Sequence, residues 1–176
     1  MKEEDISKIV ISVVRELKNK QKMSSSIDEH PVCLGKAPKM SLQLALSLID
    51  KIKLKAVDQN LRVVIAVVDS GARPVAVECM DEAYLASYDI ALNKAFTSVS
   101  LQMSTEELGK LSQPGNPLYG IQYTNHGQIV IFGGGEPLVM NGILIGGVGI
   151  SGGTAKEDTD LAAYAKQVCK EVSECL

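Results

Sequence analysis

Six ionisable side chains, Asp69, Glu78, Asp89, Lys94, Glu136 and Asp158, fall within stretches that read as ordered, and so could take part in acid–base chemistry. No spacing among them brings a nucleophile, a base and an orienting group together, so Asp69, Lys94 and Glu136 stand as catalytic candidates without an assigned mechanism. Lys94, in the helical stretch Ser87-Tyr-Asp-Ile-Ala-Leu-Asn-Lys-Ala95, reads as a charge on the helix surface.

Metal and cofactor chemistry has few donors. The chain has 2 histidines, so a histidine cluster would need several copies brought together. His30 sits in a polar stretch, whereas His126 lies in a Thr-Asn-His-Gly turn and is the candidate axial ligand for an iron or haem group; the competing reading is a solvated turn residue. Cys79, Met80 and Met103 are soft donors that read as packing. Around His126 stand Tyr119, Tyr123 and Asn125, with the loop Gln113-Pro-Gly-Asn-Pro117 before them and Gly133, Gly134 and Gly135 after. Glycines let a planar ligand approach the backbone closely, and prolines hold a loop open, so this region is the candidate pocket wall.

One motif is rejected. Gly147-Val-Gly149-Ile-Ser-Gly152 matches the dinucleotide-binding pattern between a strand and a helix, but no second parallel strand follows that helix. These glycines read as packing positions.

The elements that must position the candidates follow from periodicity. Leu42, Ala45, Leu46, Ile49, Ile52, Ala56 and Val57 predict a helix from Ser41 to about Asn60. Arg62 to Asp69 and Pro74 to Glu78 predict a hairpin turning at Asp69-Ser-Gly-Ala72. Helices are expected from Leu85 to Ser100 and after Ser104, where Glu107 completes a capping box. Three strands then follow, Gln128 to Phe132, Pro137 to Met140 and Ile143 to Ile150, the last two joined by an Asn141-Gly142 type I′ turn. A final helix capped by Ser151 or Thr154 would bury Leu161, Ala162, Ala165, Val168 and Val172. Hairpin connections dominate, so the fold class is α/β (α+β): an antiparallel sheet of about five strands with helices packed on it.

Composition sets the limits. Apolar residues make up 45% and aromatics 4%, so the core is built from Val, Ile, Leu and Ala. A net charge of -3 from well-mixed charges offers no footprint for nucleic acid. No apolar run approaches the roughly 20 residues that span a bilayer, and four cysteines without paired spacing read as reduced cytosolic thiols. Residues 1–18 place Ile6, Ile9, Val10, Val13 and Leu17 on one face of an amphipathic helix, residues 19–40 form a serine- and proline-containing linker, and residues 41–176 form the domain. A helix on so long a tether is expected to bind a partner rather than its own domain.

Val67-Val-Asp-Ser-Gly71, Ala86-Ser87 with Ala91 to Ala95, Gln113-Pro-Gly115, Pro117-Leu-Tyr-Gly120, Phe132-Gly-Gly-Gly135 and the glycine-rich run Gly146 to Gly153 resemble the GlcG/HbpS family, which also supplies the C-terminal domain of PduO. The resemblance spans about Ser41 to Val172 and implies a profilin-like five-stranded antiparallel sheet, homo-oligomers and, in several members, haem binding. Some members take a histidine ligand from the first domain helix at a subunit interface; Ser41 to Asn60 contains none. Residues 1–18 resemble the encapsulation peptides of bacterial microcompartments. Together these imply a cytoplasmic accessory protein in a microcompartment lumen, reaching shell or cargo through residues 1–18 and binding haem or a corrinoid through Tyr119, Tyr123, Asn125, His126 and Gly133 to Gly135. No counterpart of the PduO adenosyltransferase domain is seen, so corrinoid adenosylation is not carried over. The rival expectations are an enzyme acting on a small oxygenated metabolite and a non-catalytic interaction module.

Overall fold

The structure, a computed structural model, describes residues 38–174. The amphipathic segment 1–18 and most of the linker lie outside the described residues. The domain begins at Pro38, and Met40, which the sequence reading put in the linker, is buried in the core.

Ser41 caps the first helix, α1 (Leu42–Asp58), its hydroxyl accepting the Leu44 amide at 3.1 Å. The helix buries Leu44, Ala45, Leu48, Ile49, Ile52 and Ala56. Leu42, Leu46 and Val57, expected on the inner face, are exposed instead together with Leu54, because the apolar arc of this helix is wider than the surface its neighbours cover.

Strands β1 (Val64–Asp69) and β2 (Pro74–Cys79) form the expected hairpin. Asp69 closes its turn, the carboxylate accepting the Gly71 amide at 2.8 Å and the Arg73 amide at 3.0 Å. Helices α2 (Ser87–Leu101) and α3 (Thr105–Leu111) follow, with the Ser104 hydroxyl accepting the Glu107 amide at 3.1 Å. Strands β3 (Gly135–Met140) and β4 (Ile143–Ser151) are joined through Asn141 and Gly142, whose φ values of 52° and 78° are those of a type I′ turn. Helix α4 (Ala155–Glu174) starts at a reciprocal cap: Thr154 donates its amide to Glu157 Oε2 at 2.7 Å and accepts the Glu157 amide at 3.3 Å. Leu161, Ala162, Ala165 and Val168 face inward as expected, and the side chain of Val172 lies outside the described residues.

The sheet has four antiparallel strands in the order β2-β1-β4-β3, not the five expected. The stretch Gln128 to Phe132 is not a strand. Its Val130 amide donates to Thr97 Oγ1 at 3.0 Å, so a side chain of α2 takes the hydrogen bond that a neighbouring strand would have received.

Each face of the sheet is covered. Val63, Ile65, Val67, Leu138, Ile145, Val148 and Ile150 pack with α1 and α4, while Val64, Ala66 and Val68 alternate to the opposite side and meet Ala91, Ala95 and Val99 of α2. The close approach of α2 to β4 explains the glycine run. A Cβ on Gly149 would stand 2.0 Å from the Ala91 carbonyl oxygen, so these positions are packing glycines, as the topology argument requires.

Candidate functional site

Among the described residues, Lys94 is a wholly buried cation around which α2, β4 and α4 meet. Lys94 has 0% exposure, and its ammonium donates to Asp158 Oδ2 at 2.7 Å and to the Ile150 carbonyl at 2.7 Å. It also stands 5.0 Å from the centre of the Phe132 ring. The expected helix-surface role for Lys94 is therefore corrected. Ala91, Ala95 and Ser98 share its face of α2, and a face of small residues is the signal that it packs inward.

Asp158 occupies the first turn of α4, where its other oxygen accepts the Gly153 amide at 2.9 Å. Burial pushes the Lys94 amine below its ordinary range and the Asp158 carboxyl above its own, and in each case the partner's charge opposes that shift. The short, buried contacts are those of an ion pair. Gly134, at φ 113°, makes room for it: a Cβ there would lie 2.6 Å from Lys94 Nζ and 2.8 Å from Asp158 Cβ.

Beside this pair opens a cleft of about 300 Å³. Ser87 and Ser151 line it, their hydroxyls 3.2 Å apart, with Phe132 and Tyr84 along its sides and Asp158 at its edge. Asp158 was among the ionisable groups singled out in the sequence, but its pairing with Lys94 spans 64 residues and had no local signature. Ser151 was named only as a candidate helix cap, Ser87 and Phe132 only within motifs, and Tyr84 not at all; none was read as lining a site.

The structure separates the three catalytic candidates by role. Asp69 is occupied by its turn amides, Lys94 by Asp158, and Glu136 by a 2.8 Å ion pair with Lys166. Tyr123, Asn125 and His126 lie on an exposed segment of two 3-10 turns, Ile121–Tyr123 and Asn125–Gly127, with exposed Tyr119 just before it. Tyr123 is 84% exposed. Asn125, His126 and Gly127 all adopt the left-handed conformation, which turns the chain tightly and leaves the imidazole accessible. In the same segment, Gln122 Oε1 is buried with no hydrogen-bond partner in the protein. Gly133 and Gly135 pack inward, against Thr159 and against Lys94 and Thr105 respectively.

As donors, these residues suit haem: an accessible imidazole can ligate iron, and two phenols stand near it in sequence. No ring of three or more His, Cys, Asp or Glu side chains that could hold a bare metal ion exists among the described residues. No helix among them is long and apolar enough to cross a membrane.

Comparison with known proteins gives consistent relatives. A family model described as haem-degrading protein HbpS-like matches residues 40–167. An uncharacterised 15.0 kDa protein from the dhaT-dhaS intergenic region of Citrobacter freundii is 43% identical over 76% of this chain and 94% of its own length. The corrinoid adenosyltransferase PduO of the same organism is 39% identical over 64% of this chain, which spans 33% of that protein. Among solved structures, a PduOC:heme complex superposes with a TM-score of 0.71 at 36% identity, covering 74% of this chain and 94% of the other.

Proposed function

Because this chain belongs to the HbpS-like family, matched over residues 40–167, we propose that it is an accessory protein that binds haem or a corrinoid in support of cofactor redox chemistry. The observation that carries this reading is the likeness to the PduOC:heme complex, at 36% identity over most of both chains. The exposed His126 turn supports it, with the imidazole as iron ligand and Tyr119 and Tyr123 as flanking aromatic surface. Bound haem would supply one-electron chemistry, and the protein's part is to supply the axial donor and control access to the iron.

An exposed turn does not enclose a tetrapyrrole, so a second surface must cover it. A homo-oligomer would provide one, and the exposed stripe Leu42, Leu46, Leu54 and Val57 on α1 supports self-association. The address is the microcompartment lumen, reached through residues 1–18 and a shell or cargo partner; the kinship with PduO supports this reading.

Haem titration of the full chain followed by absorbance tests the reading, with His126→Ala at the same concentrations. A saturable Soret shift that is lost in the variant is expected. No shift in the wild-type chain overturns haem binding and moves weight to the corrinoid. Deleting residues 1–18 should abolish co-purification with shells, and unchanged encapsulation would remove the targeting role.

A further inference from the structure

The cleft beside the Lys94–Asp158 pair is a second site, distinct from the His126 turn, and its chemistry is specific enough to name a ligand class. We propose that it binds a small uncharged molecule of one ring that carries a carbonyl acceptor.

Size comes first. At about 300 Å³ the cleft is at the lower end of the range of roughly 300–1,000 Å³ typical of small-molecule sites, enough for a single substituted ring and far too small for a tetrapyrrole.

Its walls call for a ring. The chain has only 5 tyrosines and 2 phenylalanines, and one of each, Tyr84 and Phe132, flanks this one cleft. Both leave their rings accessible, at 73% and 46% exposure. Phe132 is held in place by the buried Lys94 ammonium over its ring, so stacking on it costs little further ordering.

The lining supplies a donor. The hydroxyls of Ser87 and Ser151, both buried, share one hydrogen bond between them. One hydroxyl proton is spent in that bond, and the other has no acceptor among the described residues. A buried donor without a partner is unfavourable, and a ligand carbonyl oxygen would satisfy it.

Charge selects a neutral molecule. Asp158 borders the cleft but is already matched by Lys94, so a carboxylate ligand would be desolvated there with no counter-charge to gain. A cation would gain little, because Asp158 is already matched by Lys94 and by the Gly153 amide.

Benzamide is the probe, and benzoate its charged counterpart. Calorimetric titration of the full chain should give saturable one-site binding of benzamide, with benzoate at least about tenfold weaker because its charge would be desolvated beside Asp158. Tyr84→Ala, at an exposed position that leaves the fold intact, should weaken benzamide about two- to tenfold through lost stacking. Ser87→Ala should weaken it by a similar factor, about two- to tenfold, through the lost donor. Amide resonances of Gly152 and Gly153 should shift on titration. Absent saturable binding, undiminished affinity in Tyr84→Ala, or benzoate binding as well as benzamide would each overturn the proposal, and none of these outcomes bears on the haem titration.

Discussion

The Lys94 ammonium and the Asp158 carboxylate, 64 residues apart in the chain, meet at 2.7 Å with side-chain exposures of 0% and 4%. Together with the bond from Lys94 to the Ile150 carbonyl, the pair ties α2, the end of β4 and the first turn of α4 into one unit.

Removing one partner leaves an uncompensated buried charge. Lys94→Met and Asp158→Leu are each expected to cost about 3–5 kcal/mol in unfolding free energy, and the double variant should recover much of that loss. Urea unfolding of the four chains of this double-mutant cycle measures the coupling. Additive losses would show that the two groups do not act as a pair.

Helix α2 lies so close to β4 that a methyl group cannot enter. Gly149→Ala would place a Cβ 2.0 Å from the Ala91 carbonyl oxygen, and the rigid backbones on both sides leave no cheap adjustment. A destabilisation of about 1–3 kcal/mol or more is expected in thermal unfolding. An unchanged midpoint would mean that the helix can slide over the sheet.

The cap of α4 responds to pH. Hydrogen bonds from the Thr154 amide and hydroxyl hold the Glu157 carboxyl below its ordinary value of 4.5. With the folded value below the unfolded one, the stabilisation is fully present above that ordinary value and is lost as pH falls through the lower, folded one. Protection of the Thr154 and Glu157 amides, taken as exchange relative to the intrinsic rate at each pH, should fall over that acid range, and Thr154→Ala, which removes the hydroxyl but keeps the amide, should reduce the response while costing about 1 kcal/mol. Protection that does not change with pH over that range in the wild-type chain would contradict the cap.

Two described cysteines should differ sharply in reactivity. Cys79 is exposed, while burial of Cys169 pushes its thiol up and keeps it protonated. Brief alkylation of the native chain followed by peptide mass mapping should modify Cys79 and spare Cys169 until urea is added. Early labelling of Cys169 would show that α4 opens readily.

Much of the architecture was legible because its signals are local. The Ser104 cap, the Asp69 turn and the Asn141-Gly142 hairpin each depend on residues within a few positions of one another and formed as read, and of the two caps offered for the last helix, Ser151 and Thr154, the structure uses Thr154. The stretch Gln128 to Phe132 was misread because a β-branched apolar run satisfies a strand and a buried extended segment equally well. The choice rested on Thr97, a helix side chain more than 30 residues earlier in sequence, which took the Val130 amide.

The candidate site divides in the same way. The sequence by itself determined the family pattern, the small-residue core and the tight turn that presents His126, since each is written in residue type and short spacing. Only the tertiary structure decided that Lys94 is buried against Asp158, that Ser87 and Ser151 come within 3.2 Å, and that Tyr84 and Phe132 flank the same cleft. Those meetings depend on how α2 and α4 pack across the sheet, and a contact between distant segments leaves no periodicity in the chain that encodes it.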